Sequence, residues 1–85
     1  SNIIGLWLID NTGLPLLNRT YNSESFIDSS LFSGFITAIV TYSKQVINDN
    51  IESIEMAGHN IHYLAFDQFS VVSFLRSSCQ HVRSL

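Results

Sequence analysis

The chain has 85 residues, of which 46% are hydrophobic, 12% aromatic and only 13% charged, with a formal net charge of −3. That length supports one domain near the size at which a single core is just sufficient, and so low a charge content leaves apolar surface to hide against a partner or in a generous core. The fixed cations Arg19, Lys44, Arg76 and Arg83 are scattered, which excludes the clustered basic surface that nucleic acid or an anionic membrane requires.

The first segment, Ile3-Ile4-Gly5-Leu6-Trp7-Leu8-Ile9, lacks polar alternation. That is the mark of a central strand buried on both faces, with Gly5 placed to admit another element closely. Asp10-Asn11-Thr12-Gly13 carries turn chemistry. The return strand runs from Leu14 to about Tyr21, and Pro15 donates no ladder hydrogen bond, so this strand is expected at a sheet edge. Asn22-Ser23-Glu24-Ser25 reads as loop. Asp28 or Ser29 then caps a helix that runs to about Asn48, where Asn48-Asp49-Asn50 stops it. About twenty residues make a rod of roughly 30 Å.

At 100° per residue, Ser33, Gly34, Thr37, Thr41, Lys44, Gln45 and Asn48 share one polar sector of that helix. The remaining apolar arc spans roughly 200°, where about 100° suffices to pack on a core. The surplus asks for a second partner, or for loops or a terminal helix to lie over it. Ile51-Glu52-Ser53-Ile54-Glu55-Met56 mixes polar and apolar positions and reads as a half-exposed strand. After the turn Ala57-Gly58-His59-Asn60, residues 61–66 and 69–75 form two further strands joined by Asp67-Gln68. Both are apolar on both faces, so the sheet is expected to be covered on both, and one helix covers only one. The tail from Arg76 to Leu85 can begin a short C-terminal helix but cannot blanket a sheet. The expected fold is therefore α/β (α+β): a five-stranded antiparallel sheet, elements in the order β-β-α-β-β-β, with one long helix on one face. Residues 1–85 form a single domain that reads as incomplete at its C-terminus or completed by another chain.

This order resembles the first half of a longin domain and, more broadly, the roadblock/longin superfamily of profilin-like folds, in a form familiar from archaeal as well as eukaryotic members. The similar residues are the hairpin Ile9-Asp10-Asn11-Thr12-Gly13-Leu14-Pro15-Leu16, the helix start Leu31-Phe32-Ser33-Gly34-Phe35-Ile36-Thr37-Ala38-Ile39, and the three-strand meander over residues 51–75 with its Gly58 turn. A full longin domain continues with further helices on the open sheet face, and this chain departs from that pattern by stopping at Leu85. The resemblance implies a non-enzymatic, cytoplasmic platform that pairs as a homodimer or as a heterodimer with another longin/roadblock-like chain. It also implies service to small-GTPase regulation or vesicle trafficking, with a small GTPase as a further partner. Carried over, the pairing surface is the helix flank Leu31, Phe35, Ala38 and Tyr42 with the strand residues Ile51, Glu52, Ser53, Ile54 and Glu55. The residues agree on their own account: the helix has surplus apolar area, and residues 51–56 read as an edge able to extend a neighbouring sheet. Glu52 and Glu55 would restrict which edges can pair.

No catalytic, metal or cofactor site is expected. His59 and His62 are three apart along a strand and point to opposite faces, which disfavours a shared ion. Cys79-Gln80-His81 lacks a companion ligand pair, and a lone cysteine of this kind is more often structural than nucleophilic. Cys79 also makes no internal disulfide, which fits a reducing compartment. The carboxylates fall mostly at turns, caps and an edge strand, and the isolated glycines form no phosphate loop. No run approaches the ~18–20 apolar residues of a membrane span, and residues 3–9 are too short for a secretory signal. The competing class is a profilin-like sensor of the PAS or GAF kind, holding a small ligand between sheet and helix. Continuous large apolar residues favour a filled core instead.

Overall fold

The computed structural model describes residues 3–21 and 27–77. Five strands, β1 (Ile3–Asp10), β2 (Pro15–Thr20), β3 (Ser53–Glu55), β4 (His59–Ala65) and β5 (Phe69–Arg76), form one sheet in the order β2-β1-β5-β4-β3. Every neighbouring pair is antiparallel. The helix α1 (Ser29–Tyr42) runs on through a π-helical turn, Ser43–Ile47, and lies on one face. The expected element order is therefore the observed one.

Local chemistry explains the boundaries. In the β1–β2 turn, Asp10 Oδ1 accepts from the Thr12 amide at 2.9 Å, the Thr12 hydroxyl at 2.7 Å and the Leu14 amide at 3.0 Å. Gly13 sits at φ +93°, a conformation that side chains rarely adopt. Proline at the start of β2 lacks an N–H, and β2 is an edge strand as Pro15 requires. The register slips beside it: Leu8 pairs with Leu17 but Ile9 pairs with Pro15, leaving Leu16 as the extra residue of a bulge. Asp28 caps α1, its Oδ1 accepting from the Leu31 amide at 3.0 Å. At the far end Asn48 takes the left-handed conformation, φ 63°, and donates its amide to the Ser43 carbonyl.

The core lies between α1 and the sheet. Trp7 and Ile9 of β1, Val72 of β5, Ile61 of β4 and Ile36 of α1 are buried together, and full burial of each large apolar side chain contributes about 1.5–3 kcal/mol. Trp7, Phe32 and Phe74 form an aromatic triangle, with ring centroids 4.2, 5.6 and 6.5 Å apart. The Trp7 indole N–H donates to Ser29 Oγ at 3.3 Å, and Ser29 Oγ donates to Asn18 Oδ1 at 2.8 Å. One short relay thus fixes the start of α1 against both strands of the hairpin.

Three expectations need correction or refinement. Gly5 does admit close packing, chiefly from its own strand: a Cβ there would stand 2.7 Å from the Trp7 ring, and 3.2 Å from the Arg19 carbonyl oxygen of β2. Ser33, assigned to the polar sector, is buried, because its hydroxyl donates to the Gly13 carbonyl at 2.7 Å and clamps α1 onto the hairpin turn. The strand expected over residues 51–56 is shorter, Ser53–Glu55, since Ile51 and Glu52 are occupied in crossing from the helix end to the sheet. As expected of a single helix, α1 covers one face only: among the described residues, side chains of Leu17, Leu64 and Phe66 are exposed on the side away from it. The tail read as the start of a helix, with Cys79 and His81, lies outside the described residues.

Candidate interaction surfaces

Three surfaces combine apolar side chains with exposure. The first is the outer flank of α1. Leu31, Phe35, Ala38 and Tyr42 follow one another at intervals of four, three and four residues, so they share one stripe. All four are exposed, Leu31 by 73%, Phe35 by 47% and Tyr42 by 64%. Ile36 and Ser33 point the other way, into the core. Helix periodicity indicated surplus apolar surface on α1, and the family resemblance singled out these four residues within it.

The second surface is the β3 edge, paired only with β4. The sequence-predicted residues do not all face outward here. Ile54 packs against the core opposite Ile61. Glu52 offers its carbonyl to the Tyr63 amide at 2.9 Å, and Ile51 is half-buried beside a cleft with Val40, Lys44 and Tyr63. Ser53 and Glu55 are exposed. The edge therefore presents backbone, one hydroxyl and carboxylates rather than an apolar strip.

The third surface was missed. Alternation along the strands places Leu6 and Leu8 of β1, Leu17 and Arg19 of β2, Val71 of β5, and His62 and Leu64 of β4 on the face away from α1. A groove of about 270 Å³ runs between Leu6, Leu8, Leu17, Arg19, Tyr21 and Val71. Beyond it Phe66 and Phe69 stack with centroids 5.0 Å apart. The signal was present, since these strands are apolar on both faces, but sequence marks such a face without saying what lies on it.

The titratable groups fit structural roles. His59 stacks on Phe74 on the helix side at 5.0 Å, while His62 is exposed on the other face, as strand alternation required. The Thr12 hydroxyl, and after it the Leu14 amide, hold the Asp10 carboxyl below its ordinary value. No group of three or more metal-ligating side chains gathers among the described residues, and no described helix is long and apolar enough to cross a membrane. Between α1 and the sheet, a cleft of about 150 Å³ reaches in from Asp10, Asn11, Thr37 and Thr41 to Tyr63 and Ser70, and an open cleft of about 360 Å³ lies beside Val40, Lys44, Ile51 and Tyr63.

With this geometry in view, no protein-family model matches the chain, and no curated protein matches it either. Among solved structures there is a strong likeness. The fold resembles that of the gliding protein MglB from Thermus thermophilus. The TM-score is 0.73 at 10% identity, over 87% of this chain and 61% of that one. This chain thus spans under two thirds of MglB's length, and at that identity the shared property is the fold.

Proposed function

We propose that the chain is a non-enzymatic interaction module of the longin/roadblock kind. It pairs with a second copy or with another chain of the same fold. The paired platform serves a small GTPase in a cytoplasmic regulatory or trafficking-type complex. The observation that carries the pairing is the exposed stripe Leu31, Phe35, Ala38 and Tyr42 beside a sheet whose β3 edge is unpaired. The likeness to a protein named for gliding supports a motility-linked or regulatory setting. The GTPase itself rests on the family resemblance alone.

In this reading α1 packs against its counterpart through the stripe, while Ser53–Glu55 lies near the counterpart's edge. Glu55 and Glu52 keep the edge from joining arbitrary strands. The test is molar mass by light scattering over a concentration series, for the parent chain and for Ala38→Glu and Tyr42→Glu. Both positions are exposed, so the fold should survive, and each charge should convert a dimer into a monomer with helicity unchanged. A dimer unmoved by both substitutions would remove this surface from the reading, as would a parent chain that stays monomeric at high concentration. The GTPase arm is checked separately, by nucleotide release and hydrolysis rates of purified small GTPases with and without the dimer. A PAS- or GAF-like sensor would hold its ligand between α1 and the sheet, where Trp7, Ile9, Ile36, Ile61 and Val72 pack together.

A further inference from the structure

We infer that the counterpart on the α1 flank is an identical copy, crossing antiparallel with the two-fold axis at Ala38, so that Tyr42 of each chain fills a groove beside Gly34 of the other. This rests on the pairing reading above and adds to it the partner, the direction and the register. The starting observation is a glycine without a use inside its own chain. Gly34 lies in the middle of α1, where glycine is less favourable than alanine. Its φ is not in the positive range, and a Cβ built there would meet nothing within 4 Å. Neither backbone geometry nor packing among the described residues calls for it, so the bare backbone serves something that arrives from outside.

The groove sets the chemistry of what arrives. It is open, of about 470 Å³, and runs along α1 past Gly34, Ala38 and Thr41, with Thr12 and Gly13 of the hairpin turn also lining it. Small residues on the helix leave room for a flat apolar body. The Thr12 hydroxyl donates to Asp10 and keeps acceptor capacity for a polar tip. Tyrosine combines such a body with such a tip. Tyr42 is 64% exposed, and it stands about 12 Å from Gly34 along the axis, at the far end of its own groove.

Symmetry selects the copy. Counted from Ala38, Gly34 lies four positions before and Tyr42 four after, Phe35 three before and Thr41 three after. Two antiparallel copies therefore set Tyr42 on Gly34, Phe35 on Thr41 and Ala38 on Ala38. A large side chain meets a small one at each step, and a small pair meets on the axis, as a self-complementary interface requires. A parallel pair would crowd tyrosine on tyrosine at one end and leave glycine on glycine at the other. All five positions are uncharged, so two copies bring no like charges together.

The experiment exchanges the two residues in the full chain and reads molar mass by light scattering over a concentration series. Gly34→Tyr sets tyrosine on tyrosine at both contacts and should raise the dimer dissociation constant about 30-fold or more. The site has open space, so circular dichroism should show an intact fold. Tyr42→Gly empties both contacts and should weaken the dimer about tenfold or more. An equal mixture of the two variants again opposes tyrosine to glycine at both contacts and should dimerise more tightly than either variant alone. As a second readout, in a chain carrying Cys79→Ser, Ala38→Cys should give a disulfide-linked dimer on mild oxidation. Leu31→Cys in the same chain should not, because antiparallel pairing holds those positions roughly 21 Å apart. A dimer unmoved by Gly34→Tyr, a mixture that recovers nothing, or a Leu31→Cys cross-link as efficient as that of Ala38→Cys overturns the proposal. If Ala38→Glu dissociates the dimer and Gly34→Tyr does not, pairing through α1 stands and this register alone fails. A parent chain monomeric throughout removes the pairing reading together with the register.

Discussion

Replacing Gly5 by alanine tests how tightly the aromatic core is fixed. The new Cβ would stand 2.7 and 2.8 Å from two Trp7 ring carbons and 3.2 Å from the Arg19 carbonyl oxygen. The indole cannot swing aside freely, because Trp7 is buried, lies 4.2 Å from the Phe32 ring and is hydrogen-bonded to Ser29. Overpacking of this kind costs about 1–3 kcal/mol. Removing glycine's excess freedom in the unfolded chain returns about 0.4–1 kcal/mol. A net loss of about 1–2 kcal/mol remains, and for a domain of this size each kcal/mol lowers Tm by about 4–8 °C. Urea unfolding followed by circular dichroism measures it, since the single tryptophan is itself perturbed. The decisive comparison is a cycle with Trp7→Leu, in which the smaller side chain leaves room for the methyl. Gly5→Ala should then cost nothing or stabilise slightly, a coupling of at least about 1 kcal/mol. If the substitution costs the same in both backgrounds, contact with Trp7 is not its cause.

Other outcomes follow from the hairpin and its clamp. Ser33→Ala removes a buried 2.7 Å hydrogen bond and leaves the Gly13 carbonyl without that donor; a loss of about 1–2 kcal/mol in chemical denaturation is expected. The Asp10 carboxyl is held below its ordinary 3.8 in the fold, chiefly by the Thr12 hydroxyl. Its support of the turn is therefore complete above pH 3.8 and is lost as pH falls through the lowered folded value. Proton spectra of the Thr12 and Leu14 amides should show their shifts collapsing over that acid range, and Asp10→Asn should abolish the pH dependence.

Much of the fold was legible because its signals are local. Asp10 through Gly13 dictates the turn from neighbouring side chains, Pro15 demotes β2 to an edge, and Asp28 and Asn48 bound the helix through groups within a few residues. What escaped depends on distant partners. Ser33 looks like a solvated helix residue until the Gly13 carbonyl, 20 positions away, arrives beneath it. The π-helical turn depends on how Ser43 is engaged, with its hydroxyl donating to the Asp49 carbonyl at 3.1 Å and its carbonyl accepting from Asn48 and Asp49. Period alone showed that α1 carries surplus apolar surface, the family resemblance picked out Leu31, Phe35, Ala38 and Tyr42 within it, and the inward turn of Ile54 needed its register with Ile61.

The strand order sets the timing of folding. β1 is formed early in the chain yet sits between β2 and β5, with Ile3 opposite Leu75. The hairpin and α1 can meet soon after synthesis, but Trp7 has no Val72 or Phe74 beside it until nearly every described residue has been made. Closing that pairing bears the entropy of a loop as long as the domain and places its contact order toward the slow end for its size. A nascent chain would therefore hold an unfinished aromatic cluster until β5 arrives, and folding should be limited by the zipping of one late strand into the middle of the sheet.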